Sequence, residues 1–239
     1  YQFYPVEGSF FAGMGAFVRA PSASGLIVPG LIDRLTPATV ALRPGWNMIT
    51  VPSDVAAGTA DVLVGTAAQS LTPFAQAGSV VSPVMFRFNP DPLNPDLGTY
   101  VETAVFPPGE GVFVRAVASD GGFLSFANGG RSRTSTRAAT LGIPPIVGGG
   151  RNDWMGNITL STPLGHWAQA QLGQASRARD AYVEGEDVSL PASPGGFQLV
   201  GVGGPAGSAG RYRDLRSGTP GQTWSFDLTG LRPGSATVL

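Results

Sequence analysis

The chain has 239 residues, 15 basic against 16 acidic side chains, a formal net charge of −1 and no cysteine. That balance leaves no electrostatic footprint for nucleic acid or an anionic membrane surface, and the missing thiols exclude disulfides and thiolate metal sites. Thirty-five glycines and 21 prolines would suit a low-complexity chain, but 42% hydrophobic residues and 13 phenylalanines argue for a folded one.

Many short strands joined by Gly/Pro-rich turns fit this composition best. The length allows two domains of ordinary size. Every basic residue is arginine, which reads as the codon bias of a GC-rich genome. No apolar run approaches the roughly 20 residues needed to span a bilayer. The start at Tyr1 reads as the product of a removed signal peptide or as a piece of a longer polypeptide.

In chain order, Tyr1-Gln2-Phe3-Tyr4-Pro5-Val6 is an aromatic strand interrupted by proline, which suits an edge or a stretch without a partner. Two short strands follow, at Gly13–Ala20 and Gly25–Gly30. The organising stretch is Leu42-Arg43-Pro44-Gly45-Trp46-Asn47-Met48-Ile49-Thr50-Val51-Pro52. There a Pro-Gly turn delivers a tryptophan into an alternating strand. Trp46 and Met48 point to one face, Ile49 and Val51 to the other, so a strand buried on both faces is expected, with Trp46 as a core anchor. Residues 59–77 carry Ala60, Leu63, Ala67, Leu71, Phe74 and Ala75 at spacings of three and four, which predicts one short helix ending at Gly78.

Strands resume at Val80-Val81, Val84–Phe88, Tyr100-Val101, Ala104–Phe106, Val112–Ala116 and Gly122–Phe126. Gly13-x-Gly15-x-Phe17-Val18-Arg19-Ala20 recurs as Gly109-x-Gly111-x-Phe113-Val114-Arg115-Ala116, and Trp46-Asn47-Met48-Ile49-Thr50 is echoed from Trp154 to Leu160. The order of hairpin, spacer and tryptophan strand therefore occurs twice. Residues 127–150 are rich in Gly, Ser, Thr, Arg and Pro, and 141–150 reads as a linker. Beyond it, strands are expected at Trp154–Leu160, Trp167–Leu172, Phe197–Val202, Trp224–Leu228 and Ala236–Leu239. The resulting fold class is all-β: two tandem β-sandwich-like domains, 1–140 and 151–239, with at most one short helix and with Trp46, Phe113, Trp154 and Trp224 as core anchors.

Gly45-Trp46-Asn47-Met48-Ile49, the tyrosine strand at Tyr100 and Pro108-Gly109-Glu110-Gly111-Val112-Phe113-Val114 resemble a recurrent Gly-Trp-Asn-type β-module of large secreted and surface-anchored bacterial proteins. Residues 151–239 resemble the β-domain that often follows it. Arg179-Asp180-Ala181-Tyr182 with Glu186-Asp187 looks like that domain's acidic crossing. Tyr212-Arg213-Asp214-Leu215-Arg216 with Thr223-Trp224-Ser225-Phe226 looks like its closing strands. The resemblance spans about residues 40–239. It implies an extracellular structural or display role and carries over no catalytic residue.

The remaining motifs point away from catalysis. Apolar strands follow both Gly-x-Gly pairs where a phosphate cradle needs a third glycine and a helix. His166 is the single histidine and has no Gly-x-Ser-x-Gly elbow beside it. It reads as a turn or half-buried residue before Trp167. Asp91, Asn94 and Asp96 offer oxygen ligands suited to Ca2+, but alternating prolines make a structural loop the preferred reading. No other cofactor is expected. Glu184, Glu186, Asp187 and Asp180 form an acidic cluster whose spacing along a turn does not define a catalytic pair. Arg131, Arg133 and Arg137 read as solvated linker charges.

These readings lead to a non-enzymatic protein of the bacterial cell surface or exterior. The leading expectation is a structural subunit or segment of a filament, surface layer or matrix fibre. Its self-assembly into a homopolymer would proceed by strand pairing through Tyr1, Phe3, Tyr4 and Val6 or through Ala236, Val238 and Leu239. The rival is an adhesin or carbohydrate-binding module of a larger secreted protein, with Trp167, Tyr182 or Tyr212 stacking on a cell-surface glycan.

Overall fold

The computed structural model describes residues 13, 15, 38–52, 56–67, 69–90, 98–126, 150, 153–161, 167–183, 186–191, 199–202, 210–229 and 237–238. They are strands and turns with two single-turn 3-10 helices, and the fold is all-β. Among them, no helix is long and apolar enough to cross a membrane. The chain forms two compact units that do not follow chain order. Tyr1–Arg87 and Thr103–Thr140 make the first, and Phe88–Glu102 and Leu141–Leu239 make the second.

The first unit contains β1 (Ala38–Leu42), β2 (Gly45–Ile49), β3 (Ala57–Gly58), β4 (Val62–Thr66), β5 (Gln69–Pro73) and the start of β6 (Met85–Pro90). After β7 (Gly98–Thr103) it continues with β8 (Val105–Phe106), β9 (Val112–Ala116) and β10 (Gly122–Phe126). One antiparallel sheet has the order β1-β10-β4-β5. In another, β9 lies between β2 and β6, and β3 pairs with β8 in a two-stranded ribbon. Alternation decides which side chains go inward. In β1, Val40 and Leu42 are buried while Thr39 and Ala41 are exposed. These two join Val62, Val64, Leu124 and Phe126 from the same sheet, and Ile49, Val112, Val114 and Met85 from the other, in one core.

The segment 59–77 is not a helix. It holds a 3-10 turn (Thr59–Asp61), the β4–β5 hairpin and a second 3-10 turn (Phe74–Gln76). The spacing of three and four was outcompeted by a period of two: Val62 and Val64 are 0% and 1% exposed, whereas Leu71 is 48% exposed. Ala60, Ala67 and Ala75 are exposed as well, and of the supposed apolar stripe only Phe74 is buried in the core. β-branched residues at alternate positions fit a pleated surface better than a helix.

The stretch around β2 divides its faces as its alternation predicts, but the core side is that of Ile49 and Val51, at 2% and 3% exposure. Trp46 lies on the opposite face, half-buried and outside the shared core, with its ring 5.7 Å from that of the buried Phe86. Asn47 locks the entry turn: its Nδ2 donates to the carbonyls of Arg43 and Gly45, and its Oδ1 accepts the Arg43 N–H.

The repeated Gly-x-Gly motif acquires a physical reason here. β9 pairs with one side of β2, with Met48 opposite Phe113. On the other side, the Gly15 N–H donates to the Met48 carbonyl, and the Thr50 N–H donates to that of Gly13. A Cβ on Gly15 would stand 2.8 Å from Met48 Cγ, and one on Gly111 3.1 Å from it. Each copy of the motif thus passes over Met48 where a side chain would collide with it.

The second unit contains the rest of β6 beside β7, with Phe88 edge-on to Tyr100 at 5.8 Å. It also holds β11 (Trp154–Ser161), β12 (Trp167–Ala175), β13 (Val188–Ser189), β14 (Leu199–Val202), β15 (Arg211–Ser217), β16 (Phe226–Thr229) and β17 (Thr237–Val238). Their order is β16-β14-β15-β12-β11-β17, with β13 also against β15. β12 and β15 run parallel, from Gln171 opposite Arg213 to Ala175 opposite Ser217, whereas the other pairs are antiparallel.

Candidate functional site

The described part of the second unit has a small apolar cluster, Ala175, Ala178 and Leu215 with Met155 against it. Its strand β15 instead buries charge. Arg211, Arg213 and Asp214 are 8%, 3% and 0% exposed, and Asp187 on the crossing segment is 1% exposed. Charges are buried only where partners satisfy them. Asp214 takes the Arg211 guanidinium on Oδ1 and Arg216 Nε on Oδ2, the latter at 2.9 Å. Arg213 Nε donates to Gln171 Oε1 at 2.8 Å, and the Tyr212 hydroxyl donates to Glu102.

The carboxylates of residues 180–187 tie the crossing segment to β15 through backbone amides. Asp187 accepts the Val183 N–H at 2.7 Å and the Leu215 N–H at 2.9 Å. Asp180 accepts the Ser217 N–H at 2.9 Å. Asp187 and Asp214 are enclosed and committed to these bonds, so they do not form an open carboxylate pair with room for a reacting water. Among the described residues, no group of three or more His, Cys, Asp or Glu could hold a metal ion.

Burial pushes the Asp187 carboxyl up to about 6. The neighbouring Asp214 adds to the rise, while the two backbone N–H bonds and Arg211 oppose it. Arg213, the other charge facing Asp187, is itself lowered by burial. Hydrogen bonds from the hydroxyl and backbone N–H of Ser217 hold Asp180 below the usual carboxylate range. Burial raises the Tyr212 hydroxyl, and the Glu102 carboxylate raises it further.

A pH dependence follows with a defined sign. The folded state holds the Asp187 proton to about pH 6, whereas the unfolded state releases it near pH 4. The contribution of Asp187 is therefore complete below about pH 4 and lost as the pH rises through about 6. Urea melts are expected to show wild-type stability falling relative to Asp187→Asn across that window, by up to about 3 kcal/mol.

Above this charged layer lies an aromatic and polar surface. Trp154 on β11, Gln174 on β12 and Arg216 on β15 occupy one cross-strand row. Trp154 Nε1 donates to Gln174 Oε1 at 3.1 Å, and Gln174 Nε2 donates to the Thr219 carbonyl at 3.0 Å. Trp224 stands edge-to-face with Trp154 at 5.8 Å and carries the Arg216 guanidinium over its ring at 5.2 Å. Gln222 Nε2 reaches Asp180 Oδ1, and the Ser217 and Thr219 hydroxyls lie 2.9 Å apart.

These positions correct the expectation of four core anchors. Phe113 is buried, at 5% exposure, but Trp154 is 40% exposed and is a surface residue. It begins β11 just after the Asp153 turn, on a face that presents Gln174 and Arg216 rather than apolar groups. Trp224 is half-buried beside it and is not part of the described apolar cluster of this unit. The expected sugar-stacking residues also change. Tyr212 is 1% exposed and unavailable, because its ring is enclosed on β15. Tyr182 is exposed, with the Arg211 guanidinium 5.2 Å from its ring centre.

Val238 belongs to β17 and pairs with Leu160. Tyr1, Phe3, Tyr4, Val6, Ala236, Leu239, Asp91, Asn94, Asp96, His166, Glu184 and the side chain of Trp167 lie outside the described residues, as do 141–149 of the linker. The row built on Trp154 escaped sequence reading, although an echo of the first tryptophan strand marked its position. The signal that locates it is the set of polar residues at matched register on β12 and β15.

Among the described residues, the two sides of β11 are paired unequally. Its eight residues pair with β12 along their whole length, but on the other side β17 meets only Leu160 and Ser161. Among the described residues, nothing pairs with that side from Trp154 to Thr159. No protein-family model matches the chain, and no curated protein or solved structure matches it.

Proposed function

We propose that this chain is a structural segment of an extracellular bacterial assembly whose copies associate by pairing strands at sheet edges. The observation that carries this reading is the outer side of β11. Exposed edges are ordinarily guarded by charge, proline or brevity. β5, for example, ends in Pro73. β11, Trp-Met-Gly-Asn-Ile-Thr-Leu-Ser, is long, uncharged and free of proline. A strand from another copy, laid antiparallel to β11 and in line with β17, would satisfy backbone groups between Trp154 and Thr159.

The resemblance of residues 40–239 to secreted and surface-anchored β-modules agrees with this role. Light scattering and electron microscopy of the purified chain test it. The wild-type chain is expected to form oligomers or ordered polymer as its concentration rises. Asn157→Lys places a charge on an exposed position of β11 and is expected to shift the chain to monomer without changing its melting. A wild-type chain that stays monomeric, or an Asn157→Lys variant that assembles equally well, refutes the reading.

A further inference from the structure

An exposed tryptophan is ordinarily a loose one, because nothing on the solvent side limits its rotamers. Trp154 is 40% exposed, yet it is held at two places. Its Nε1–H is bonded to Gln174, whose other amide atom is bonded to the Thr219 carbonyl. Its ring meets Trp224 edge-to-face. Its six-membered ring leans along the strand over Gly156, where a Cβ would stand 3.7 Å from Cζ3. Trp224 is fixed in turn by Arg216, which is anchored to Asp214 and to the Thr223 carbonyl. A large apolar surface is therefore left in water and immobilised by a chain of bonds that reaches the buried charges.

Polar groups surround it. Gln174, Gln222, Ser217, Thr219 and Asp180 bring amide, hydroxyl and carboxylate atoms to the surface around the 217–224 loop. The one cation of the row, Arg216, shares Asp214 with Arg211, and the exposed Asp180 carboxylate lies at the same rim. The surface thus combines a rigid aromatic plane with a rim of hydrogen-bonding groups in which Arg216 and Asp180 carry opposite charges. A ligand that fits has one apolar C–H face, a periphery of hydroxyl groups and no net charge.

We infer that Trp154 and the rim around Gln174 and Gln222 form a binding site for the pyranose rings of a neutral polysaccharide. Trp154 supplies the stacking plane, and the amide, hydroxyl and carboxylate groups take the ring hydroxyls. Aromatic planes with few rotatable bonds give contact area at low entropic cost, so a preformed platform is efficient for a weakly hydrophobic ligand. The inference stands independently of assembly, since a side chain on the face of β11 is not consumed by pairing along its edge.

The test is titration of the Asn157→Lys chain, shown to be monomeric, with cellohexaose, xylohexaose, mannohexaose and chitohexaose. Tryptophan fluorescence and calorimetry are the readouts, and decaproline is the control ligand. At least one hexaose is expected to bind with a dissociation constant below about 1 mM. Trp154→Ala is expected to weaken that binding at least about tenfold, and Gln174→Ala, which unpins the ring, about threefold. Trp154→Phe is expected to retain part of the affinity, which guards against a folding artefact. Binding of none of the four sugars overturns the inference, as does equal binding by Trp154→Ala, or a response to decaproline alone. Failure of the wild-type chain to assemble bears only on the structural role.

Discussion

Replacing Phe106 by alanine is expected to destabilise the first unit by about 3–5 kcal/mol. Phe106 is 0% exposed and stands at the centre of three rings. It meets Phe74 edge-on at 6.1 Å and Phe126 at 5.3 Å, and both are 1% exposed. It also sits in the β3–β8 ribbon opposite Ala57, a position where the backbone has little freedom to collapse into a vacancy. Removing the ring would lose its transfer energy and leave an unfilled cavity, and two neighbours would lose an edge-to-face partner. Against a typical total of about 5–15 kcal/mol, that loss brings the unit close to unfolding at moderate temperature. Urea denaturation of the intact chain is the appropriate measurement, because two units need not unfold together. The transition of the first unit should move to lower denaturant while that of the second stays in place. Leu71→Ala, at a site 48% exposed, should change stability by no more than about 0.5 kcal/mol. A small effect at Phe106 would mean that the shared core is not what holds the two sheets of this unit together.

The second large effect is expected at Asp214. Its side chain is 1% exposed and receives two guanidinium groups, from Arg211 at 10% and Arg216 at 21% exposure. Asp214→Ala would leave both cations without their acceptor, Arg211 in a site almost closed to water. Breaking a buried pair from one side costs about 3–5 kcal/mol, far more than the pair itself contributes over an apolar replacement. Asp214→Ala combined with Arg211→Met should therefore recover much of the loss. A second readout separates this account from simple loss of packing. Asp214 is one of the charges that push Asp187 up, so without it the pH window of Asp187 should move toward lower pH. Arg216 would also lose its anchor beneath Trp224, and the near-ultraviolet circular dichroism of the tryptophan pair should weaken. Unchanged stability in Asp214→Ala would show that the charged layer is solvated in the folded chain.

Much of the strand content was legible because burial leaves a period of two in the sequence. Leu124 with Phe126 alternates inside a short apolar run between turn residues, and the run Val112-Phe113-Val114 marks a strand by being apolar throughout, whereas β1, which buries Val40 and Leu42, was not expected. The hairpin in residues 59–77 was misread because alanines and a surface leucine happened to fall at helical spacing, while Val62 and Val64 carried the true pattern over only three residues. Tryptophan was a poor guide to the core. Its size suggests burial, but an amphipathic indole with a hydrogen bond to Gln174 is stable at a surface. The aromatic row itself depends on register among three strands, two of them parallel and separated in sequence by the whole crossing segment. No local spacing encodes that register. The acidic crossing was visible as composition, but its role in holding backbone amides emerged only from geometry.

The interleaving of the two units reaches beyond architecture. Glu102, the acceptor for the buried Tyr212 hydroxyl, lies 110 residues upstream of it. A shuffling event or a cloning boundary near residue 140 would sever the second unit from its own hairpin and leave a phenol enclosed without its acceptor. Ribosomal synthesis meets the same arrangement, since 88–102 emerges early and must wait for β15 to arrive. A cut between residues 102 and 212 is therefore expected to cost the second unit the acceptor of its buried phenol.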